Sequence, residues 1–195
     1  EIDKDLMDLI INEKRVLPHI HFSAQSGDDM ILKRMKRRHS RKECYEVCCT
    51  IKKARSEMTF GADIITGFPT ETEKNFYNTY KFIQECKFSN LHVFPFSPKS
   101  GTPAARMPQI SNSIKNDRAD KLRKLGDEIR LKFFKDKVGK IQSILLEGQN
   151  LSYTDDYCKV KILEGKKKYH SDMRGQLTKV KFIGYGEDSI IAEIL

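Results

Sequence analysis

Thr59-Phe-Gly-Ala-Asp-Ile-Ile-Thr-Gly-Phe-Pro-Thr-Glu71 carries a strand pattern and the turn that follows it. Its first eight residues make a strand pattern ending at Thr66, and Gly67-Phe-Pro-Thr-Glu71 then turns the chain away. Thr70 and Glu73 have capping-box spacing, which predicts a helix from there to about Lys87 with Phe76, Tyr80 and Ile83 on its apolar face. The same order recurs on both sides. Upstream, residues 19–25 alternate apolar Ile20, Phe22 and Ala24 with polar neighbours, Ser26-Gly27-Asp28 makes a turn, and a basic stretch leads into a helix through about Met58. On that helix Cys44, Val47, Cys48 and Ile51 fall at i, i+3, i+4 and i+7, one buried stripe. Downstream, residues 91–96 form a third strand pattern that ends in a loop of turn formers, residues 97–103. The alternation reads as parallel α/β, of the kind that can form part of a barrel.

Outside this block the pattern changes. Residues 2–13 predict a short amphipathic helix with Ile2, Leu6, Leu9 and Ile10 on one side, stopped by Pro18. Residues 111–137 predict a long charged helix. After Gly139 the apolar period becomes two, and residues 141–147, 157–163, 177–183 and 189–194 read as short strands with Gly148, Gly165, Gly175, Gly184 and Gly186 between them. That is a small all-β unit of about the size of a five-stranded, OB-like barrel. The expected domains are therefore 1–137 and 138–195.

The 195 residues carry 36 Lys+Arg against 27 Asp+Glu, net +9, with 38% hydrophobic residues. This is a globular composition, not a disordered one, and no apolar run reaches the roughly 18 residues of a membrane helix. The first residues lack a signal-peptide layout and do not begin with Met, so the chain can be part of a longer polypeptide. A basic balance points to an anionic partner, nucleic acid being the commonest, or equally to a solvated basic surface. The excess is uneven: residues 1–137 hold +8 of it, and residues 33–42 hold seven cations and no acid. Guanidinium geometry suits carboxylate or phosphate, so Arg37 or Arg38 is a candidate ligand contact while the others meet an RNA backbone. Five cysteines without regular spacing argue for a reducing cytoplasm.

Three polar or Gly/Pro-rich loops fall at carboxyl ends of strands, where ligands gather in parallel α/β folds. They are Gln25-Ser26-Gly27, Thr66–Glu71 and Phe94–Pro98. By contrast, Cys44-x3-Cys48-Cys49 lacks cluster-loop spacing, and its first two thiols lie on the apolar helix stripe, so core packing is the reading. Cys86 and Cys158 have no neighbours of ligand type, and the sequence offers no complete metal site. His19, His21 and His92 face opposite the apolar set on their strands and receive no acid–base role.

These residues together resemble a family. His21-Phe-Ser-Ala-Gln-Ser-Gly-Asp28 with Leu32 and Met35-Lys-Arg37, then Gly61–Thr72 with Phe76, then residues 92–105, are similar in order and content to the radical SAM methylthiotransferases. Gly67-Phe-Pro-Thr-Glu71, Phe94-Pro-Phe-Ser-Pro98 and Ala105-Arg-Met-Pro-Gln109 most resemble the threonylcarbamoyladenosine tRNA methylthiotransferase branch. The unit from 138 resembles the TRAM domain that ends these enzymes. The resemblance implies an α/β fold that is the C-terminal portion of a radical SAM partial barrel followed by an OB-like TRAM domain.

It also implies an enzyme that adds a 2-methylthio group to N6-threonylcarbamoyladenosine next to the anticodon. S-adenosylmethionine and two 4Fe-4S clusters would serve the complete enzyme. The Cys-x3-Cys-x2-Cys loop that holds the radical-generating cluster has no match here, so this chain alone is expected to be inactive and to lack the cluster ligands. Its implied partners are the tRNA anticodon stem-loop and the N-terminal part of the enzyme, in the cytoplasm and off the membrane. By matching positions, Gln25 and Ser26 would approach the ribose or methionine portion, and Arg37 would pair with the methionine carboxylate. Gly67 would permit close approach of the second loop, Phe94 and Pro95 would line the adenine pocket, and Asp63 and Glu71 would make polar contacts. Relatives carry Arg-Pro where this chain has Lys99-Ser100, and a branched residue at Ala24. Two other functions remain open: a non-catalytic RNA-binding remnant, or a radical SAM methylthiotransferase acting on a ribosomal protein.

Overall fold

The computed structural model describes residues 2–147, 152–163 and 173–195. The chain divides into two compact units, one of Glu1–Glu13 with Ile20–Ile129, the other of Lys14–His19 with Arg130–Leu195.

The first unit is built on a three-stranded sheet in the order β1 (His19–Gln25), β2 (Thr59–Thr66), β3 (Asn90–Pro95). β2 and β3 run parallel, with Asp63 opposite His92 and Thr66 opposite Pro95. Parallel neighbours need a crossover, and α4 (Glu73–Cys86) supplies it. One face of the sheet carries Ala24, Phe60, Ala62, Ile64 and Val93, which form a core with Cys44, Cys48 and Ile51 of α3 (Arg41–Ala54) and Phe76, Phe82 and Ile83 of α4. Ile10 of α1 (Lys4–Asn12) joins the same core. The opposite face presents His21, Ser23, His92 and Phe94 to solvent. Alternation along each strand thus separates a helix-covered apolar face from an exposed polar one.

Local chemistry sets the helix boundaries, and several differ from expectation. α1 ends at Asn12, well before Pro18. The basic stretch holds a short helix of its own, α2 (Asp29–Arg34), and α3 follows from a capping box in which Ser40 and Glu43 satisfy each other's backbone, ending at Ala54 and not at about Met58. Thr70 does not cap α4. It lies at φ +70°, and the cap is Thr72, whose box partner is Asn75. Two Thr–x2–polar frames overlap here, and the tight turn at Thr70 leaves only the later one in register.

α5 (Asn112–Lys137) places Ala119, Leu122 and Leu125 in the first core and Phe134 in that of the second unit. The second unit is a closed barrel of β4 (Ile141–Leu145), β5 (Ser152–Thr154), β6 (Lys159–Ile162), β8 (Ile190–Ile194) and β7 (Leu177–Tyr185), in that order around the barrel. β6 and β8 pair in parallel, while the other pairings are antiparallel. Ile144, Val160, Ile162, Val180, Phe182, Ile190 and Ala192 fill the interior. Among the described residues five strands are present where the alternation picked out four, because Ser152–Thr154 is too short to show a period. Gly184 is not between strands. It sits inside β7 where the register with β8 shifts after Phe182, and so permits the bulge. Gly148 and Gly165 lie outside the described residues. Lys137 is buried against Asp156, Gln142 and the rings of Phe133 and Phe182, a satisfied cation at the barrel's end. No helix of the described residues is long and apolar enough to cross a membrane.

Candidate functional site

The three loops singled out from sequence do stand at the carboxyl ends of β1, β2 and β3. The first is fastened to α4. Ser26 Oγ lies 3.2 Å from Thr79 Oγ1, and the Gly27 N–H donates to that hydroxyl at 3.0 Å. A Cβ on Gly27 would stand 2.5 Å from Phe82 Cβ, so only glycine fits. Asp28 then caps α2 through the Met30 and Ile31 N–H groups and accepts from Asn78 at 2.7 Å. Burial raises the Asp28 pKa, but Asn78, Asn75 and these backbone donors outweigh it and hold the carboxyl below its ordinary range. Gln25 sits at φ +66° and is buried.

The second loop is held by a buried ion pair. Glu71 accepts from the Gly67 N–H at 2.9 Å and from Arg118 at 2.7 Å, with side chains 1% and 7% exposed. Arg118 also reaches the Glu71 carbonyl and Glu73. Burial still pushes the Glu71 carboxyl up, against the opposing pull of the Gly67 N–H and Arg118. Gly67, at φ +67°, makes room for Lys115: a Cβ there would stand 2.3 Å from Lys115 Cγ. Lys115 donates to the Phe96 carbonyl at 3.1 Å. Glu71 and Gly67 therefore shape the loop from within the protein.

At the third loop, Pro95, Phe96, Asn112, Lys115 and Asn116 help line an open cavity of about 440 Å³. That volume is in the range of small-molecule sites. Phe94, 52% exposed, projects from the open sheet face beside His92. On the same face Asp63 accepts from or pairs with His21 Nε2 at 3.0 Å and His92 Nδ1 at 3.2 Å. The family resemblance implied a polar contact from Asp63, and the histidines were expected to have no acid–base role. Their convergence was hidden because the three residues lie on three strands, tens of residues apart.

The basic run 33–42 is partly spoken for. Arg34 bonds Thr70, Arg41 pairs with Glu85 beside the Phe82 ring, and Lys42 pairs with Glu46. Lys33, Lys36, Arg37 and Arg38 are exposed and form no ion pair with a described residue. In the barrel unit Tyr153 and Tyr157 stack at 5.2 Å and 22°, with Tyr157 55% exposed and His19 stacked on it at 4.9 Å.

Comparison with known proteins places these features. Residues 1–83 match the model of the radical SAM superfamily. A threonylcarbamoyladenosine tRNA methylthiotransferase MtaB from Rickettsia prowazekii is 46% identical over 187 residues, 96% of this chain and 43% of that protein. The MtaB of Bacillus subtilis is 35% identical over 95% of this chain and 42% of its own length. The chain belongs to the radical SAM methylthiotransferase family. It spans about two fifths of the length of these relatives. A tRNA-2-methylthio-N(6)-dimethylallyladenosine synthase from Neorickettsia sennetsu is 36% identical over 75% of this chain and 31% of its own length. Among solved structures, coproporphyrinogen III oxidase (HemN) from Escherichia coli, a radical SAM enzyme, matches 66% of this chain and 30% of its own with TM-score 0.53 and 18% identity, a likeness of fold.

Radical SAM methylthiotransferases use S-adenosylmethionine and iron–sulfur chemistry. The buried thiols of this chain do not fit a cluster. Cys44 and Cys48 are buried on one stripe of α3 with Cys86 beside them. A hydrogen bond to Cys48, then burial, holds the Cys44 thiol far above its ordinary range, while Cys48, lowered by Cys44, is raised overall by Cys86 and burial. Burial, with Asp156 adding to it, pushes Cys158 up to about 12. Cluster ligation needs thiolates that reach an open position, and Cys44, Cys48 and Cys158 are buried with their thiols held above the ordinary range.

Proposed function

We propose that this chain works within a tRNA methylthiotransferase that adds a 2-methylthio group to N6-threonylcarbamoyladenosine next to the anticodon, by radical S-adenosylmethionine chemistry. The observation that carries this reading is 46% identity sustained over 96% of the chain to a protein of that name. The geometry is in keeping with it. Phe94 and Pro95 offer an aromatic and a rigid wall for the adenine, and the exposed Arg37 is free to pair with the methionine carboxylate. Gln25 and Ser26 close the first strand end beside the ribose or methionine portion. Gly67 and Glu71 act by holding the second loop in shape, while Asp63 contributes a polar edge. S-adenosylmethionine supplies the radical and methyl chemistry when bound, and the chain's own residues bind and orient.

The tRNA is met in two ways. Lys33, Lys36 and Arg38 face phosphates, and the Tyr153–Tyr157 stack of the barrel, read as a TRAM domain, offers a platform for an unpaired base. The remaining portion of the enzyme supplies the cluster ligands, and the complete protein acts in the cytoplasm.

Deletion of the gene in its native cells, followed by mass spectrometry of tRNA nucleosides, tests this reading. Loss of 2-methylthio-N6-threonylcarbamoyladenosine with accumulation of its unthiolated precursor is expected. Loss of the dimethylallyl counterpart instead reassigns the substrate. An unchanged nucleoside profile overturns the reading and leaves an RNA-binding remnant or a protein-directed enzyme.

A further inference from the structure

We infer that His21, Asp63 and His92 form a binding site for a divalent first-row transition metal on the exposed face of the three-stranded sheet. One donor comes from each strand: His21 from β1, Asp63 from β2 and His92 from β3. The parallel register sets Asp63 directly across from His92. Both imidazoles converge on a single carboxylate oxygen, His21 Nε2 at 3.0 Å and His92 Nδ1 at 3.2 Å, and the three donor atoms all lie within 4.8 Å of one another. Two ligand atoms bound about 2.0–2.2 Å from one ion stand roughly 2.8–3.6 Å apart at right-angled to tetrahedral geometry. Two of the three separations are already there, and closing the third needs only that the two rings, tilted by 40° at 4.8 Å between centroids, lean together.

The cluster is also built around. A Cβ on Gly61 would stand 2.4 Å from His21 Nδ1, so the absence of a side chain there is what lets the ring lie against β2. Strands hold such donors more tightly than loops would, which is what a preorganised site requires. Two imidazoles and one carboxylate leave the remaining coordination positions open on the solvent side, where Phe94 also projects. This donor set suits Zn²⁺, Fe²⁺, Co²⁺ or Ni²⁺ rather than Ca²⁺ or Mg²⁺, which prefer all-oxygen shells. On binding, two hydrogen bonds are exchanged for three coordinate bonds, and the imidazole protons move to the other ring nitrogen or to solvent. Affinity therefore falls on acidification.

Tag-free 195-residue chain in a Cys49→Ser background, which removes the exposed thiol, is titrated with Zn²⁺ by calorimetry and with Co²⁺ by visible absorption. One ion per chain and a Co²⁺ spectrum free of thiolate charge-transfer bands are expected. His92→Ala and Asp63→Asn each weaken binding more than about 100-fold, beyond the roughly 10–100-fold that loss of an outer partner costs, with the circular dichroism spectrum retained. His92 is half exposed, so its truncation leaves the core intact. No binding by the parent chain, equal binding by both variants, or a thiolate band overturns the site. The titration reads the metal directly, so its failure leaves the tRNA reading standing, and a failed nucleoside test leaves the site standing.

Discussion

The two units solve the edge and face problems of a β-sheet in opposite ways. The barrel closes β4 on β7 and turns every second residue into a dry interior, so its inner side has no room for a ligand. The three-stranded sheet covers one face with helices and leaves the other exposed, lined with His21, Asp63, His92 and Phe94. Chemistry is thus available on the exposed polar face of the open sheet, whereas the barrel offers what it carries outside, the Tyr153–Tyr157 stack among it.

Breaking the barrel's interior gives the largest effect. Phe182 is fully buried, and Phe182→Ala removes a ring the interior cannot replace, at a cost of about 3–5 kcal/mol. Hydrogen exchange should show β4–β8 losing protection while β2 and α4 keep theirs. Equal loss in both would mean that the two units do not fold separately.

Arg118→Ala attacks the open sheet's loop instead. It strands the Glu71 carboxylate, 1% exposed, and breaking such a pair costs about 3–5 kcal/mol at neutral pH. The native Glu71 pKa is raised above its ordinary 4.5. A raised native pKa contributes stability that is full below the unfolded value and is lost as pH rises through the native one. Without Arg118 the carboxyl rises further, so the variant's deficit should shrink on acidification towards pH 4–5. A melting-temperature difference that stays constant across that range would show that Glu71 is already neutral.

Smaller effects sharpen the division of labour. Tyr157→Ala removes the ring that both His19 and Tyr153 stack on and should weaken anticodon stem-loop binding by about 1–3 kcal/mol, read by fluorescence titration. The melting temperature should hold, since the ring is more than half exposed.

Much of this was legible in the sequence, for reasons that can be named. β2 and its loop announced themselves because eight alternating or apolar residues run straight into Gly-Phe-Pro, and the switch to period two after Gly139 marked the barrel strands. Cys44 and Cys48 could be placed in the core from helical spacing alone. What escaped has physical reasons too. The short helix α2 escaped because six residues within a basic run are too few to show a helical period. The roles of Glu71 and Gly67 depend on Arg118 and Lys115, which α5 brings from more than forty residues away. The His21–Asp63–His92 cluster depends on strand register, which no local pattern encodes.

The salt dependence of anticodon stem-loop binding bears most directly on the split between the units. Lys36→Ala with Arg38→Ala should lower the slope of log affinity against log salt by roughly 1.4, about 0.7 per lost phosphate contact on single-stranded RNA. Tyr157→Ala should lower affinity at every salt concentration and leave that slope unchanged. A slope untouched by the double variant, or reduced by loss of the tyrosine, would contradict the assignment of charge to the open-sheet unit and stacking to the barrel.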